Sequence, residues 1–305
     1  MTPHMSAQQA EATAAVHQIP AAAPPAAVPP AGARPQIPSP RKDGRNVNRT
    51  HGGQVITHPP SDRAGLVAQL AQQRHVALEL QHAILPLHDK PFDLPGLRVA
   101  MRYLPATAAS RVGGDWYITA QMPTGDVLIA IGDVGGHGLT AAAGMARLRG
   151  ALAGLAITGS PPERLVGWLN DLVHHVGAEH TASVIAGYFS PETRVLTWAQ
   201  AGHPPPVLIR GATAEPLDPP AGVLLGAAKD EYQAATLALL PGDLLLLYSD
   251  GLIEARHRSL EQGLAILRRA VRGVTDPVRA ISVALRALGS ADAEDDTCLV
   301  ALRVL

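Results

Sequence analysis

A single cysteine, Cys298, stands in the 305 residues. That excludes a disulfide framework and any multi-cysteine zinc or iron–sulfur site. Aromatic residues make up only 3%, and the first is Phe92, so nearly the first third of the chain has none and the core must lie mostly after it. Lys and Arg (25) do not outnumber Asp and Glu (26), and the formal net charge is -1. No basic surplus exists to neutralise phosphates, which argues against a broad nucleic-acid footprint. No run of about 18 apolar residues occurs, so no membrane-spanning helix is expected. A secretory leader is not visible either, because the apolar stretch Ala21 to Ala33 is broken by Pro24, Pro25, Pro29 and Pro30. The expectation is a cytoplasmic protein without nucleic-acid or membrane partners.

What is present is unevenly spread. Residues 1–60 hold 11 of the 27 prolines and much alanine. Proline cannot sustain helix or sheet ladders and alanine buries little area, so this segment reads as a disordered tail of polyproline character. Its basic cluster, Arg41, Lys42, Arg45 and Arg49, reads as a solvated linker. Residues 61–88 read as a lead-in helix and linker. Within Ser61 to Leu85, Leu66, Leu70, Ala77, Leu80 and Ile84 form a heptad-like seam with a polar slot at Gln73. The seam packs either on the domain's own surface or on a second copy as a homodimer helix through 61–85; both readings stay open.

Residues 89–305 form the remaining domain. Leu97 to Tyr103, Asp126 to Val134, Ala182 to Phe189, Val195 to Gln200, Pro206 to Arg210, Asp243 to Tyr248 and Thr297 to Leu305 read as strands. Leu139 to Ile157, Pro161 to Val176, Leu260 to Val271 and Pro277 to Leu288 read as helices. Strands and helices come in blocks rather than in alternation, which favours an α+β fold over a doubly wound parallel sheet.

Four aspartates sit where a strand meets a turn. Asp115 follows Gly113 and Gly114, Asp133 ends the run DVLIAIGDV, Asp250 ends DLLLLYSDG, and Asp295 precedes Asp296 and the last strand. Gathered at one end of a sheet they would repel one another strongly. Divalent cations resolve that repulsion, and oxygen-only ligands suit Mg²⁺ or Mn²⁺ rather than zinc or copper. Two such ions about 4 Å apart can activate a water and orient a phosphoryl group.

The stretches RVGGDWY (111–117), IGDVGGHG (131–138), AGHPPP (201–206), LLLYSDGLIEAR (245–256) and DDTCLVALRV (295–304) occur in that order. Together with 84–106 they resemble the SpoIIE/RsbU branch of the PPM metal-dependent serine/threonine protein phosphatases, over roughly residues 80 to 305. The resemblance implies an αββα sandwich of two antiparallel sheets flanked by helices. It also implies two Mn²⁺ or Mg²⁺ ions and hydrolysis of phosphoserine or phosphothreonine. By position, Asp133 and Asp250 would be catalytic, and Asp115, Asp133, the Val134 carbonyl, Asp250 and Asp295 would hold the metals, with Asp296 the less favoured of its pair. The implied substrate is a phosphorylated STAS-type anti-sigma-factor antagonist, or another phosphoprotein, in a partner-switching pathway. The competing function is a phosphatase-like regulatory module that binds without catalysis.

The branch commonly ends its first motif in Asp, where this chain has Ile118; one acidic group is therefore expected to be missing near the site. Gly135 stands where eukaryotic relatives carry a general-acid histidine. His137 and His203 are read as orienting a loop or touching substrate. GDVGGHG lacks the Gly-Lys-Ser/Thr ending of a nucleotide-binding P-loop. His174, His175 and His180 match no zinc-helix spacing, Trp116 and Tyr117 read as core or as a stacking surface, and Cys298 reads as core.

Overall fold

In a computed structural model, the described residues are 84–85, 90–105, 113–176, 181–255, 257–289 and 295–305, preceded by Gly65, Ala68 and Gln72. The tail 1–60 and the seam residues Leu66, Leu70, Ala77 and Leu80 lie outside them. Gly65, Ala68 and Gln72 are helical and exposed, and Ile84 is helical. Ile84 and Leu85 pack into the domain's own core, Leu85 completely buried.

Among the described residues, eleven strands build two sheets in which every pairing is antiparallel. The first sheet runs in the order β1 (Phe92–Leu94), β2 (Leu97–Leu104), β11 (Thr297–Val304), β10 (Leu244–Tyr248), β7 (Val207–Arg210), β8 (Thr213–Pro216). The second runs β3 (Trp116–Gln121), β4 (Val127–Val134), β5 (Ala182–Ser190), β6 (Val195–Ala201), β9 (Ala234–Ala238). The helices are α1 (Leu139–Ala156), α2 (Pro162–Val176), the one-turn α3 (Asp250–Ile253), α4 (Leu260–Val271) and α5 (Pro277–Leu288).

Strand alternation sorts the apolar residues into three cores. In β4, Val127, Ile129 and Ile131 face the other sheet, while Leu128, Ala130 and Val134 face α1 and α2. In β11, Cys298, Val300, Leu302 and Val304 face between the sheets, while Leu299 and Ala301 meet α4 and α5. Central strands are covered on both faces, which is why LLLLY and the CLVAL of β11 are unbroken apolar runs. The result is the αββα sandwich that the motif resemblance implied.

The helices cover the outer faces through one stripe each. In α4 the buried positions are Gly263, Leu267 and Val271, four residues apart. Its start is fixed by a capping box between Ser259 and Gln262. In α5, Asp276 accepts from the Arg279 N–H and Pro277 opens the first turn, where a missing N–H costs nothing. Strands β1, β3, β8 and β9 were not among the sequence expectations. Strand β9, AATLA, is an edge strand of small residues with partial burial, so it lacks the large apolar alternation that announces a strand. Among the described residues no helix is long and apolar enough to cross a membrane.

Candidate active site at the open end of the sandwich

The alternation that builds the inner core also aims the acidic residues. In β3, Trp116 and Ile118 face the helices and Tyr117 faces between the sheets. Asp115, one residue before Trp116, therefore falls on the inter-sheet side, where it is 2% exposed. Asp133 follows Ile131 at the same parity of β4, Asp296 precedes Cys298 at the same parity of β11, and Asp250 opens α3 directly after β10.

One polar contact ties the two sheets together at this end, and others join neighbouring strands of the first sheet. Ser249, fully buried, donates its hydroxyl to Asp115 Oδ2 at 2.7 Å and accepts from the Cys298 N–H at 2.9 Å. Tyr103 of β2 donates to Asp296 Oδ2 at 2.5 Å. The Asp296 N–H donates to Asp295 Oδ1 at 2.9 Å. Glycines close the remaining gaps. A side chain at Gly113 would strike the Asp296 carboxylate, one at Gly114 the Val134 carbonyl, and one at Gly251 the Asp296 carbonyl. The glycines of two separate sequence stretches are thus a packing requirement of one spot.

Electrostatics mark the same spot. Burial, then the Asp133 charge, pushes the Asp115 carboxyl well above the usual carboxylate range, and the Ser249 hydrogen bond offsets part of it. Asp133 is pushed up to about 7, first by burial and then by Asp250 and Asp295, with a hydrogen bond from Asp115 working the other way. Asp250 is raised by burial and by Asp295. Carboxylates that raise one another need positive charge nearby, and an all-oxygen donor set fits a hard divalent cation. Among the described residues no three His, Cys, Asp or Glu side chains are gathered into a finished metal cage.

Asp133 and Asp250 open onto a cleft of about 590 Å³ that Gly135, Ser183 and His203 also line. Ser183 is the register partner of Asp133. Its Oγ shares a hydrogen bond of 2.7 Å with His203 Nδ1. His203 is 3% exposed, and burial pushes its pKa down to about 3, with the Tyr248 backbone pulling weakly the other way. It is a neutral ring at physiological pH.

Of the sequence expectations, Asp115, Asp133, Val134 and Asp250 come together at this end. Asp295 is exposed at its rim, near enough to raise both Asp133 and Asp250, whereas Asp296 turns inward and is 2% exposed. The expected loss of an acidic group at Ile118 is corrected. Ile118 is 5% exposed in the core under α1 and α2, on the opposite face of β3 from Asp115. Trp116 and Tyr117 are core, as is Cys298. His137 is exposed, and His175 bonds the Asp171 carbonyl on its own helix. His180 lies outside the described residues. Tyr103, Ser183 and Ser249 were missed. Ser249 and Asp250 share one stretch, SD, and strand parity is the signal that would have picked the serine.

The family model described as Stage II sporulation protein E (SpoIIE) matches residues 123–305. The chain belongs to the SpoIIE family. The match takes in Asp133, Asp250 and Asp295, while Asp115 lies ahead of it. Phosphoserine phosphatase RsbU of Bacillus subtilis (strain 168) is 26% identical over 198 residues, 63% of this chain and 56% of its own length. This SpoIIE-family chain therefore spans little more than half of that relative. The solved RsbU and RsbW domains of Rv1364c from Mycobacterium tuberculosis superpose with a TM-score of 0.63 at 28% identity, over 69% of this chain and 60% of that one. The SiaA-PP2C domain of Pseudomonas aeruginosa gives a TM-score of 0.64 at 20% identity, over 81% of this chain and 100% of that one, a likeness of fold.

Proposed function

We propose that the chain is a metal-dependent protein phosphatase that hydrolyses phosphoserine or phosphothreonine. The observation that carries this reading is the convergence of Asp115, Asp133 and Asp250 at one end of the sandwich, beside one cleft, each carboxyl raised by burial and by its neighbours' charge. Asp115, Asp133, the Val134 carbonyl, Asp250 and Asp295 are the groups that would hold two Mn²⁺ or Mg²⁺ ions. Such ions supply an activated water and offset charge on the phosphoryl group.

The chain's own residues supply position. Gly113, Gly114 and Gly251 let the segments around Asp115, Val134, Asp250 and Asp296 press together, so the carboxylates keep their aim. Ser183 and His203 build the wall beside Asp133. Because burial keeps His203 neutral, it acts as a hydrogen-bond partner and not as an acid toward the leaving oxygen. The small residue Gly135 leaves room at the cleft wall.

The relative RsbU is named a phosphoserine phosphatase, and the neighbour from M. tuberculosis combines RsbU and RsbW domains. With the motif resemblance, these support a phosphorylated STAS-type anti-sigma-factor antagonist as the substrate, in a cytoplasmic partner-switching pathway. A homodimer through residues 61–85 belongs to the same proposal, and light scattering at micromolar concentration tests it.

The deciding experiment is phosphate release by wild type and by Asp250→Asn, with Mn²⁺ and with chelator. Changes one layer out from a metal already cost about 10- to 100-fold, so losing a carboxylate ligand should cost at least that. Full activity in chelator, or in Asp250→Asn, overturns the reading.

A further inference from the structure

One arginine reaches the ends of two helices at once. Arg258 stands half-buried in the turn between α3 and α4, and its N–H donates to the Ala255 carbonyl at 2.9 Å. Its guanidinium Nε donates to the Ile253 carbonyl at 2.9 Å and its Nη2 to the Leu252 carbonyl at 3.2 Å, on the last two residues of α3. Its Nη1 donates to the Leu288 carbonyl at 2.8 Å, on the last residue of α5. The last carbonyls of a helix find no partner within it, and a buried carbonyl left without one is costly. A guanidinium presents its donors in one rigid plane, so a single side chain here fixes two helix ends against each other. Among the described residues no carboxylate forms an ion pair with Arg258.

Each of those helices leads to a carboxylate of the site. Asp250 is the first residue of α3. Only residues 289–294 separate the end of α5 from Asp295. Strands β10 and β11 pair Tyr248 with Leu299, which brings Asp250 and Asp295 to the same end of the sheet. Strand β10 ends at Tyr248, short of Asp250, and β11 begins at Thr297, past Asp295. The placement of each carboxylate therefore also depends on what holds α3 and α5. Helix α4 closes in on the same point: a side chain at Gly263 would come within 2.1 Å of the Ile253 carbonyl, so α4 lies against a group that Arg258 binds.

We infer that Arg258 is a positioning residue: by tying the C-terminal ends of α3 and α5 together it sets the spacing between Asp250 and Asp295, and with it the affinity of the site for its divalent cations. The inference rests on the metal-dependent phosphatase reading of the site. Arg258 touches neither cation nor substrate and acts through the backbone of both segments. Without it, fewer molecules at any moment hold the two carboxylates at the spacing that binds. The apparent dissociation constant rises as that fraction falls, and saturating metal draws the population back.

The test uses the full chain as wild type, Arg258→Met, Arg258→Lys and Arg210→Met. Mn²⁺ binding is read by titration calorimetry, and p-nitrophenyl phosphate turnover is followed against Mn²⁺ concentration. Arg210 is the control, because it holds Asp243 and the Ala238 carbonyl at the opposite end of β10 from Asp250. Groups that support metal ligands carry about 10- to 100-fold in metal affinity. Arg258 acts through backbone, so Arg258→Met should bind Mn²⁺ about tenfold more weakly, at the low end of that range. Arg258→Lys, which keeps the charge and loses the planar fork, should fall between it and wild type. The half-saturating Mn²⁺ concentration should rise by the same factor while turnover at saturating Mn²⁺ returns toward wild type, and Arg210→Met should bind Mn²⁺ as wild type does. Wild-type affinity in folded Arg258→Met overturns the inference. An equal loss in Arg210→Met, or a fall in saturated turnover with half-saturation unmoved, overturns it too. Where Arg258→Met does not fold, Arg258→Lys decides by the same readings, and its failure to fold shows that the residue holds the fold and not the site, which also overturns the inference. A wild type that binds no Mn²⁺ sinks the phosphatase reading itself, and the inference with it.

Discussion

Replacing Asp133 by Asn should make the protein more stable and inactive at once. In metal-free protein the Asp133 carboxyl is raised from its ordinary 3.8 to about 7 by burial and by Asp250 and Asp295. At about 1.4 kcal/mol per pH unit, that rise sets roughly 4 kcal/mol against the charged form in the folded state, as an upper bound because the coupled carboxyls share protons. The sign follows from linkage. Below pH 3.8 the group is protonated folded and unfolded, and contributes nothing. Between 3.8 and about 7 it ionises first in the unfolded chain, so folding is penalised increasingly as pH rises; above about 7 the penalty is complete. Asn carries no charge in either state and lacks the penalty. In chelator at about pH 8, Asp133→Asn should therefore be more stable than wild type by about 2–4 kcal/mol, and by about half that at about pH 5.5. In Mn²⁺ the order should shift toward wild type, because a ligand at about 100 times its Kd adds about 2.7 kcal/mol to the form that binds it. Urea unfolding at both pH values, with chelator and with Mn²⁺, measures all of this. A variant less stable than wild type at the higher pH in chelator, or a gain that does not grow with pH, refutes the electrostatic reasoning.

Ile118→Asp should destabilise by about 3 kcal/mol or more, because it buries a carboxyl in the core under α1 and α2; an unchanged melting temperature with tighter Mn²⁺ response would mean that the position faces the metals after all. Ser249→Ala should cost about 1–3 kcal/mol in urea unfolding, since it strands the Cys298 N–H and removes the donor to Asp115; a loss below about 0.5 kcal/mol refutes it. Asn170→Ala frees the Gly226 and Ala228 backbone groups and should lose about 1–2 kcal/mol. Hydrogen exchange should speed at Gly226, and unchanged exchange there refutes the clamp.

The helices and the central strands were legible because their patterns are local. Residues 260–271 and 277–288 carry a one-sided apolar stripe, and the structure ends both helices where the stripe ends. The small-residue edge strand β9 and the four-residue β8 have no such pattern. Asp133 and Asp250 were legible because each closes an apolar strand with a polar turn. Which of Asp295 and Asp296 turns inward was not, because β11 is buried on both faces and so shows no alternation from which to read parity. Ile118 illustrates the converse. It lies three residues after Asp115, and in a strand an odd separation means opposite faces, so the motif comparison placed near the site a position that strand parity turns away from it.

The residues that hold the site together lay furthest out of reach. Tyr103 and Asp296 are 193 positions apart, and Ser249 and Asp115 are 134 apart. The first pair joins neighbouring strands of one sheet that the sequence sets far apart, and the second joins the two sheets, which only the finished sandwich brings side by side. Their chemistry explains why one end of the fold can carry so much negative charge. Asp115 takes a hydrogen bond from the buried Ser249, Asp296 takes one from Tyr103, and the Asp296 backbone in turn supports Asp295. Asp133 and Asp250 are left facing the cleft. Asp115 with Ser249 ties the two sheets, Asp296 with Tyr103 ties neighbouring strands of the first, and Asp133 and Asp250 keep at the cleft the charge that a cation or a phosphorylated side chain would meet. The same strand parity that fills the inner core with valine and isoleucine turns Asp115, Asp133 and Asp296 toward the space between the sheets, and the donors Ser249 and Tyr103 then set Asp115 and Asp296 apart from Asp133 at the cleft.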